Sequence, residues 1–185
     1  LRSLNMQKFR QQKQPIFWPL VITFSIMTTI IILTIIYAKP LPSPLGNCDA
    51  PATANVNWAN CIKPQLNLHD KILTDAKLRN SQLVGSNMMN TTLNNADMAY
   101  ADLRFTNLSY SQLQNSLLLG ANLKNADLSY TDLSDADLSY ADLTGANLGG
   151  SKLDNTRFDN AIWIDGQICA PQSIGQCIKV ELSKP

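Results

Sequence analysis

Between residues 71 and 165, large apolar side chains recur at every fifth position, centred on 73, 78, 83 and onward to 163. Fifteen of these nineteen centres are Leu, and the others are Met88, Met98, Phe158 and Trp163. Two places before each centre stands Ala, Ser or Thr, with Lys71 the lone exception. The phrase is most regular in NADLSYTDLSDADLSYADLTGANL, residues 125–148. Neither regular element accommodates a period of five. On an α-helix, steps of about 100° leave successive leucines about 140° apart, so they wind round the helix without forming a face. On a long strand, side chains alternate faces, and an odd spacing sends successive leucines to opposite sides.

A strand too short to alternate more than once does fit. The small residue and the leucine, two apart, both point inward, and the three-residue step to the next small residue contains a corner. Short strands that keep turning the same way make a coil. Stacked coils then set leucine on leucine, with backbone hydrogen bonds between coils at about 4.8 Å. Small residues fill the second inward place because a narrow interior has no room for two bulky rows. The expected fold is an all-β solenoid whose core includes Leu103, Leu118, Leu123, Leu128, Leu133, Leu138 and Leu143.

The phrase A-(D/N)-L-x-x, present as ADLSY, ADLTG, ANLKN and ANLGG, resembles the pentapeptide-repeat family over residues 71 to 165. That resemblance implies a right-handed quadrilateral β-helix with four pentapeptides per coil. Nineteen repeats would then make about five coils, a rod about 24 Å long at sheet spacing. The closing stretch WIDGQICAPQSIGQC, residues 163–177, resembles the ends of exported members of the family.

Upstream the period disappears. Residues 15–38, PIFWPLVITFSIMTTIIILTIIYA, carry no charge, and about 20 apolar residues span a bilayer core. The segment reads as one transmembrane α-helix preceding the solenoid. A retained anchor is favoured over a cleaved signal, because the run is longer than a signal's apolar region and Ile36 stands where a small residue would favour cleavage. Arg2, Lys8, Arg10 and Lys13 precede the span with no acid among them, and only Lys39 closely follows it. This bias places the N-terminus in the cytoplasm and the solenoid in a periplasm or equivalent lumen, tethered to the inner (plasma) membrane. The expected divisions are a basic stretch (1–14), the span (15–38), a Pro-rich linker (39–47), an N-terminal cap (48–70), the repeats (71–165) and a C-terminal cap with its tail (166–185). At about 3.1 Å per residue, the linker would hold the solenoid within about 25 Å of the membrane.

Cys48, Cys61, Cys169 and Cys177 form an even set downstream of the span, as expected of disulfides in an oxidising compartment. The rival reading is a metal site, but no pair has CxxC spacing and His69 is the only histidine. A disulfide requires Cα atoms within about 7 Å, and the two cysteine pairs fall at opposite ends of a rod longer than three times that. Cys48–Cys61 and Cys169–Cys177 are therefore the expected bridges, each stapling its own cap.

With 185 residues and a net charge of +1, the chain suits one domain with an appendage. It lacks the basic footprint of a nucleic-acid binder. Catalytic signals are also missing. His69 has only the adjacent Asp70 as an evident partner, most repeat-region acids sit just before the inward leucine, and Gly149-Gly150 lacks a phosphate-binding context. No catalytic residue, cofactor, metal or small-molecule substrate is expected.

Surfaces are more informative. Residues twenty apart should stack in columns, which sets Tyr100, Leu117, Leu119 and Tyr140 on one face near mid-rod, and Tyr110 on Tyr130 beside it. Phe105 and Met89 should also point outward. Contiguous exposed apolar groups mark binding sites, and Tyr is enriched at interfaces. The alternative is that aromatic pairs between coils only stiffen the surface. The function expected is a non-catalytic, membrane-anchored scaffold or accessory subunit. It would dock on a membrane protein complex through its span and one solenoid face. The runner-up is a free-standing periplasmic solenoid, or a protection factor of the gyrase-mimic kind, which the family resemblance implies and to which Asp127, Asp132, Asp137 and Asp142 at equivalent places would contribute. Against mimicry, residues 71–165 carry eleven Asp but also seven Lys or Arg, a balance of only −4.

Overall fold

The computed structural model describes residues 46–179. The basic stretch, the expected span at 15–38, most of the linker and the tail beyond 179 lie outside the described residues. Among the described residues, no helix is long and apolar enough to cross a membrane.

Asn57 pairs with Lys77, Ile62 with Gln82, Asn67 with Asn87 and Ile72 with Thr92, each in parallel and twenty residues apart. Four bridges in twenty residues make a four-sided coil, and the same columns continue to Ile162. Side I runs from Asn57 to Arg157, side II from Ile62 to Ile162, side III from Asn67 to Asn147 and side IV from Ile72 to Lys152. Each bridge has the same two hydrogen bonds: Leu117 N–H donates back to Ala96 O (2.9 Å), and Leu118 N–H donates forward to Asp137 O (2.8 Å). The backbone polarity of each short side is thereby satisfied by the coils on either side.

The corners explain why five residues suffice. The carbonyl of each centre accepts from the N–H three residues on, as Leu118 O does from Ala121 N at 3.0 Å. The residue before that N–H has positive φ, the signature of a type II turn. Gly occupies it at 85, 120, 145 and 150, while Asn or Asp fills most of the others. These residue types reach the left-handed region at least cost. The strand and its corner are thus one local unit, repeated.

Inside, the core leucines at 103, 118, 123, 128, 133, 138 and 143 are wholly buried. The small inward residues are buried beside them, and several hydroxyls use the turn's own carbonyl. Ser81 donates to Leu78 O (2.6 Å), and Thr131 donates to Leu128 O (2.6 Å). Ser and Thr can therefore replace Ala at such places without stranding a polar group, although the buried Ser116 hydroxyl has no partner.

The ladder begins at Asn57 rather than at the expected boundary of residue 71. The first coil escapes the pattern because it exchanges large and small places. Leu66 takes a small-residue position, Lys63 takes a leucine position, and Trp58 fills the end of the core. At the rod's end no further coil stacks on one side, so the two-row packing limit no longer applies. The Lys63 ammonium lies 4.7 Å from the centre of the Trp58 ring, where the two attract.

Both ends are stapled by Cys48–Cys61 and Cys169–Cys177, with Cα separations of 5.5 and 5.1 Å. At the C-terminal end the chain reverses after Trp163 and runs antiparallel over sides II and I, pairing Ile168 with Ile162 and Ile174 with Arg157. Phe158 N–H donates to Ser173 O (2.8 Å), and Cys169 N–H donates to Ala161 O (2.8 Å). This return strand covers backbone edges that would otherwise be open to pairing with another chain. Beneath it the Phe158 and Trp163 rings meet edge to face at 5.0 Å.

Candidate binding surface

Five aromatic residues occupy the left-handed corner position: Tyr100, Phe105, Tyr110, Tyr130 and Tyr140, with φ between 57° and 61°. Bulky side chains rarely adopt this conformation, at a cost of about 1–2 kcal/mol per residue. All five are between 55% and 63% exposed. They lie on three of the four corners, while the corner column Asn55, Asp75, Asn95, Asn115, Asp135 and Asn155 is wholly Asn or Asp.

Three of the aromatics have a structural explanation. Tyr110 and Tyr130 stack in adjacent coils, 5.0 Å between ring centres and 9° between planes. The Tyr130 ring lies across Gly150 and the Tyr100 ring across Gly120, each shielding a glycine backbone. Arg79 also sits over Tyr100, at 5.8 Å. Among the described residues, neither a ring stack nor a glycine contact engages Phe105 or Tyr140.

Leu117 and Leu119 flank the buried Leu118 on side I, next to the corner of Tyr100 and Tyr140. Tyr100 N–H donates to Leu119 O at 2.9 Å. Both leucines are half-buried rather than exposed, as is Met89. Neighbouring outward side chains stand only about 4.8 Å apart along the rod and cover one another's flanks. Leu117 lies in the column between Asp97 and Asp137. Asp97 pairs with Arg79 (3.0 Å), and Asp137 pairs with Arg157 (3.6 Å). The face therefore has an apolar centre and a charged but internally neutralised rim.

The acids have a role that spacing did not disclose. At the outward place before the centre, the side-chain oxygen accepts the N–H two residues on. Asp97 accepts from Ala99 (3.1 Å), Asp127 from Ser129 (3.0 Å), Asp137 from Ser139 (2.9 Å) and Asn147 from Gly149 (3.0 Å). These are Asx turns that hold each corner. The chemical signal was present in the D/N preference beside each leucine. The four serial acids do not form a bare anionic strip. Asp127 receives Asn147 Nδ2, and Asp132, Asp137 and Asp142 pair with Lys152, Arg157 and Lys124.

Electrostatics follows the same economy. The Arg104 side chain, hydrogen-bonded to Asp102, holds that carboxyl below the usual carboxylate range. Burial acts to raise Asp132 and Asp142, but hydrogen bonds from Ser134 and Thr144 and the nearby Lys152 and Lys124 lower both overall. His69 Nε2 lies 2.9 Å from Asp70, and its Nδ1 lies 3.1 Å from Met89 O. Both ring nitrogens are thus engaged at the first coil. Among the described residues, no group of three or more His, Cys, Asp or Glu is placed to hold a metal ion.

The family described as pentapeptide repeats matches residues 72–109, 106–145 and 141–162, in eight copies. Among solved structures the chain is similar to Rfr23, a pentapeptide repeat protein from the cyanobacterium Cyanothece 51142. Identity is 29% and the TM-score 0.50, over 57% of this chain and 89% of that one. It is also similar to a pentapeptide repeat protein from Nostoc PCC 7120, with 35% identity, a TM-score of 0.43, and 43% and 66% of the two chains covered. A third similar structure is a pentapeptide repeat protein of the Arabidopsis thaliana thylakoid lumen, at 22% identity and a TM-score of 0.46, covering 57% and 75%. No curated protein matches the chain. The four-sided coil is accordingly a right-handed β-helix.

Proposed function

The chain belongs to the pentapeptide-repeat family, and from that premise we propose that it is a non-catalytic binding scaffold whose docking surface is side I with its corner of Tyr100 and Tyr140. One observation carries this reading. Tyr140 keeps a large exposed ring in a strained corner conformation where Asn or Gly would serve the fold better, and among the described residues no neighbouring ring or glycine accounts for it. Strain retained without a structural return points to use at a surface. The apolar centre of Leu117 and Leu119, rimmed by ion pairs that are already neutral, suits a protein partner presenting an uncharged apolar face.

The uncharged run at residues 15–38 extends the proposal to a membrane-anchored subunit. The solenoid would be held on the far side of the inner membrane, beside a membrane protein complex, with the span as a second point of attachment. Two features run against a gyrase mimic: the carboxylates are individually paired, and most are committed to holding turns. The test is to solubilise native membranes gently and isolate the protein at its own abundance, as the natural chain and as Leu117→Glu with Leu119→Glu. Fixed-ratio association lost in the double variant, with the circular dichroism unchanged, supports the scaffold. A natural chain that emerges alone would leave a free-standing envelope protein as the better reading.

A further inference from the structure

We propose that the Cys48–Cys61 bridge is a redox-operated latch, which a dithiol can open to uncover the N-terminal end of the solenoid while the coils stay intact. Three observations meet at this bridge, and none depends on the function proposed above.

The first is access. Cys48 is exposed, whereas Cys61 and Cys169 are buried and Cys177 is half-buried. An incoming thiolate needs a clear approach to one sulfur, and Cys48 is the exposed residue of this pair. The second is placement. Cys61 stands at the inward small-residue place of the first coil, where Ala, Ser or Thr stands in nearly all later repeats. A free thiol behaves there as a small apolar side chain, so the coil does not need the bridge. Cys48 lies outside the ladder, which starts at Asn57.

The third is what the latch holds down. A Cβ on Gly46 would meet Ala59 O at 2.2 Å and Cys61 Sγ at 3.0 Å, so the incoming backbone lies flat on the first coil. Asn47 N–H donates to Asn57 O (2.7 Å), and the Trp58 indole donates to Ala50 O (3.0 Å). Ala50 and Ala52 also pack against the core, and the segment covers Trp58, which is 2% exposed. Loss of the bridge therefore frees the segment and bares a tryptophan together with the first-coil edge at Asn57.

The exchange balances as follows. A dithiol thiolate attacks Cys48 Sγ, the S–S bond breaks, and its electron pair leaves on Cys61 Sγ. The second thiol of the reductant then attacks the mixed disulfide and frees Cys48, closing the reductant's own disulfide. Two electrons and two protons pass from the dithiol to the two cysteines. The Cys61 thiol has an acceptor in Ala59 O, 3.8 Å away.

The experiment uses the full chain in detergent with dithiothreitol as reductant. Timed alkylation with peptide mass spectrometry follows each bridge, and hydrogen exchange follows the backbone. The expected result is that Cys48–Cys61 opens at least about tenfold faster than Cys169–Cys177. Residues 47–57 should then lose protection while 76–160 keep theirs. Emission from Trp58, read in a Trp18→Phe, Trp163→Phe background, should shift to the red. Cys48→Ser should show the same exchange pattern without reductant. If both bridges open only with loss of protection along the whole solenoid, or if the first opens and residues 47–57 stay protected, the latch is overturned.

Discussion

The Tyr100 ring lies across Gly120, so close that a methyl group on Gly120 would meet two ring carbons at 2.8 Å. Gly120 also has a φ of +64°, so space and backbone conformation both call for glycine. Gly120→Ala should destabilise the solenoid by about 1–3 kcal/mol. Tyr100→Ala in the same chain should restore part of the loss by making room for the methyl group. Urea unfolding of the two single variants and the double variant gives the coupling directly, and additive effects would show that ring and glycine do not interact.

Phe105 and Tyr140 lead to the opposite expectation. Asn at either position relieves the left-handed backbone, so Phe105→Asn and Tyr140→Asn should leave stability unchanged or raise it by up to about 1 kcal/mol. Tyr110→Asn should lower it, because the stack with Tyr130 is lost. If Tyr140→Asn stabilises the chain and also abolishes partner association, the ring serves binding at a cost in stability. A clear loss of stability would make it a structural residue.

In the interior, Leu118→Ala should cost about 2–5 kcal/mol, since a wholly buried leucine leaves a cavity between rigid coils. Because stability in such arrays is largely a nearest-neighbour sum, protection should fall most in the coils on either side of Leu118. Hydrogen exchange resolved along the chain reads this. A uniform loss would mean the rod unfolds as one unit.

Acid should loosen the C-terminal return strand. Arg157 lowers the Asp159 pKa, with help from the Gln172 backbone N–H, and Lys179 lowers that of Asp165. A carboxyl with a depressed folded-state pKa adds stability above its unfolded value of 3.8. That stability fades as pH falls from there through the folded value. Exchange protection of residues 166–179 should therefore hold from neutrality to about pH 4 and decline below it. Asp159→Asn should flatten the decline.

Much of this was legible in the chain itself. The five-residue period excludes helix and long strand by geometry, and the small residue two places before each leucine implies the inward pair. The regularity is strongest where each coil packs between two others, as at Leu118 and Leu138. It fades at the first coil, where Lys63 and Leu66 exchange roles because no coil stacks on one side. The Asx turns were visible as a preference for Asp and Asn beside the leucine, but their purpose was not, because a hydrogen bond over two residues leaves no mark on hydrophobic periodicity.

The sequence by itself determined the coil, since every repeat contains its own strand, corner and inward pair and needs only an identical neighbour. It also determined which residues stack, because a closed four-sided coil returns every twentieth residue to the same column. The tertiary structure decided how those columned side chains meet. Tyr100 is committed to Gly120 and Tyr130 to Gly150, while among the described residues Phe105 and Tyr140 have no such counterpart, and Leu117 sinks between its neighbours. Only the fold brings the return strand over sides I and II, where Asp159 meets Gln172. Such contacts depend on rotamers and on the approach of distant backbone, and a local repeat carries no record of either.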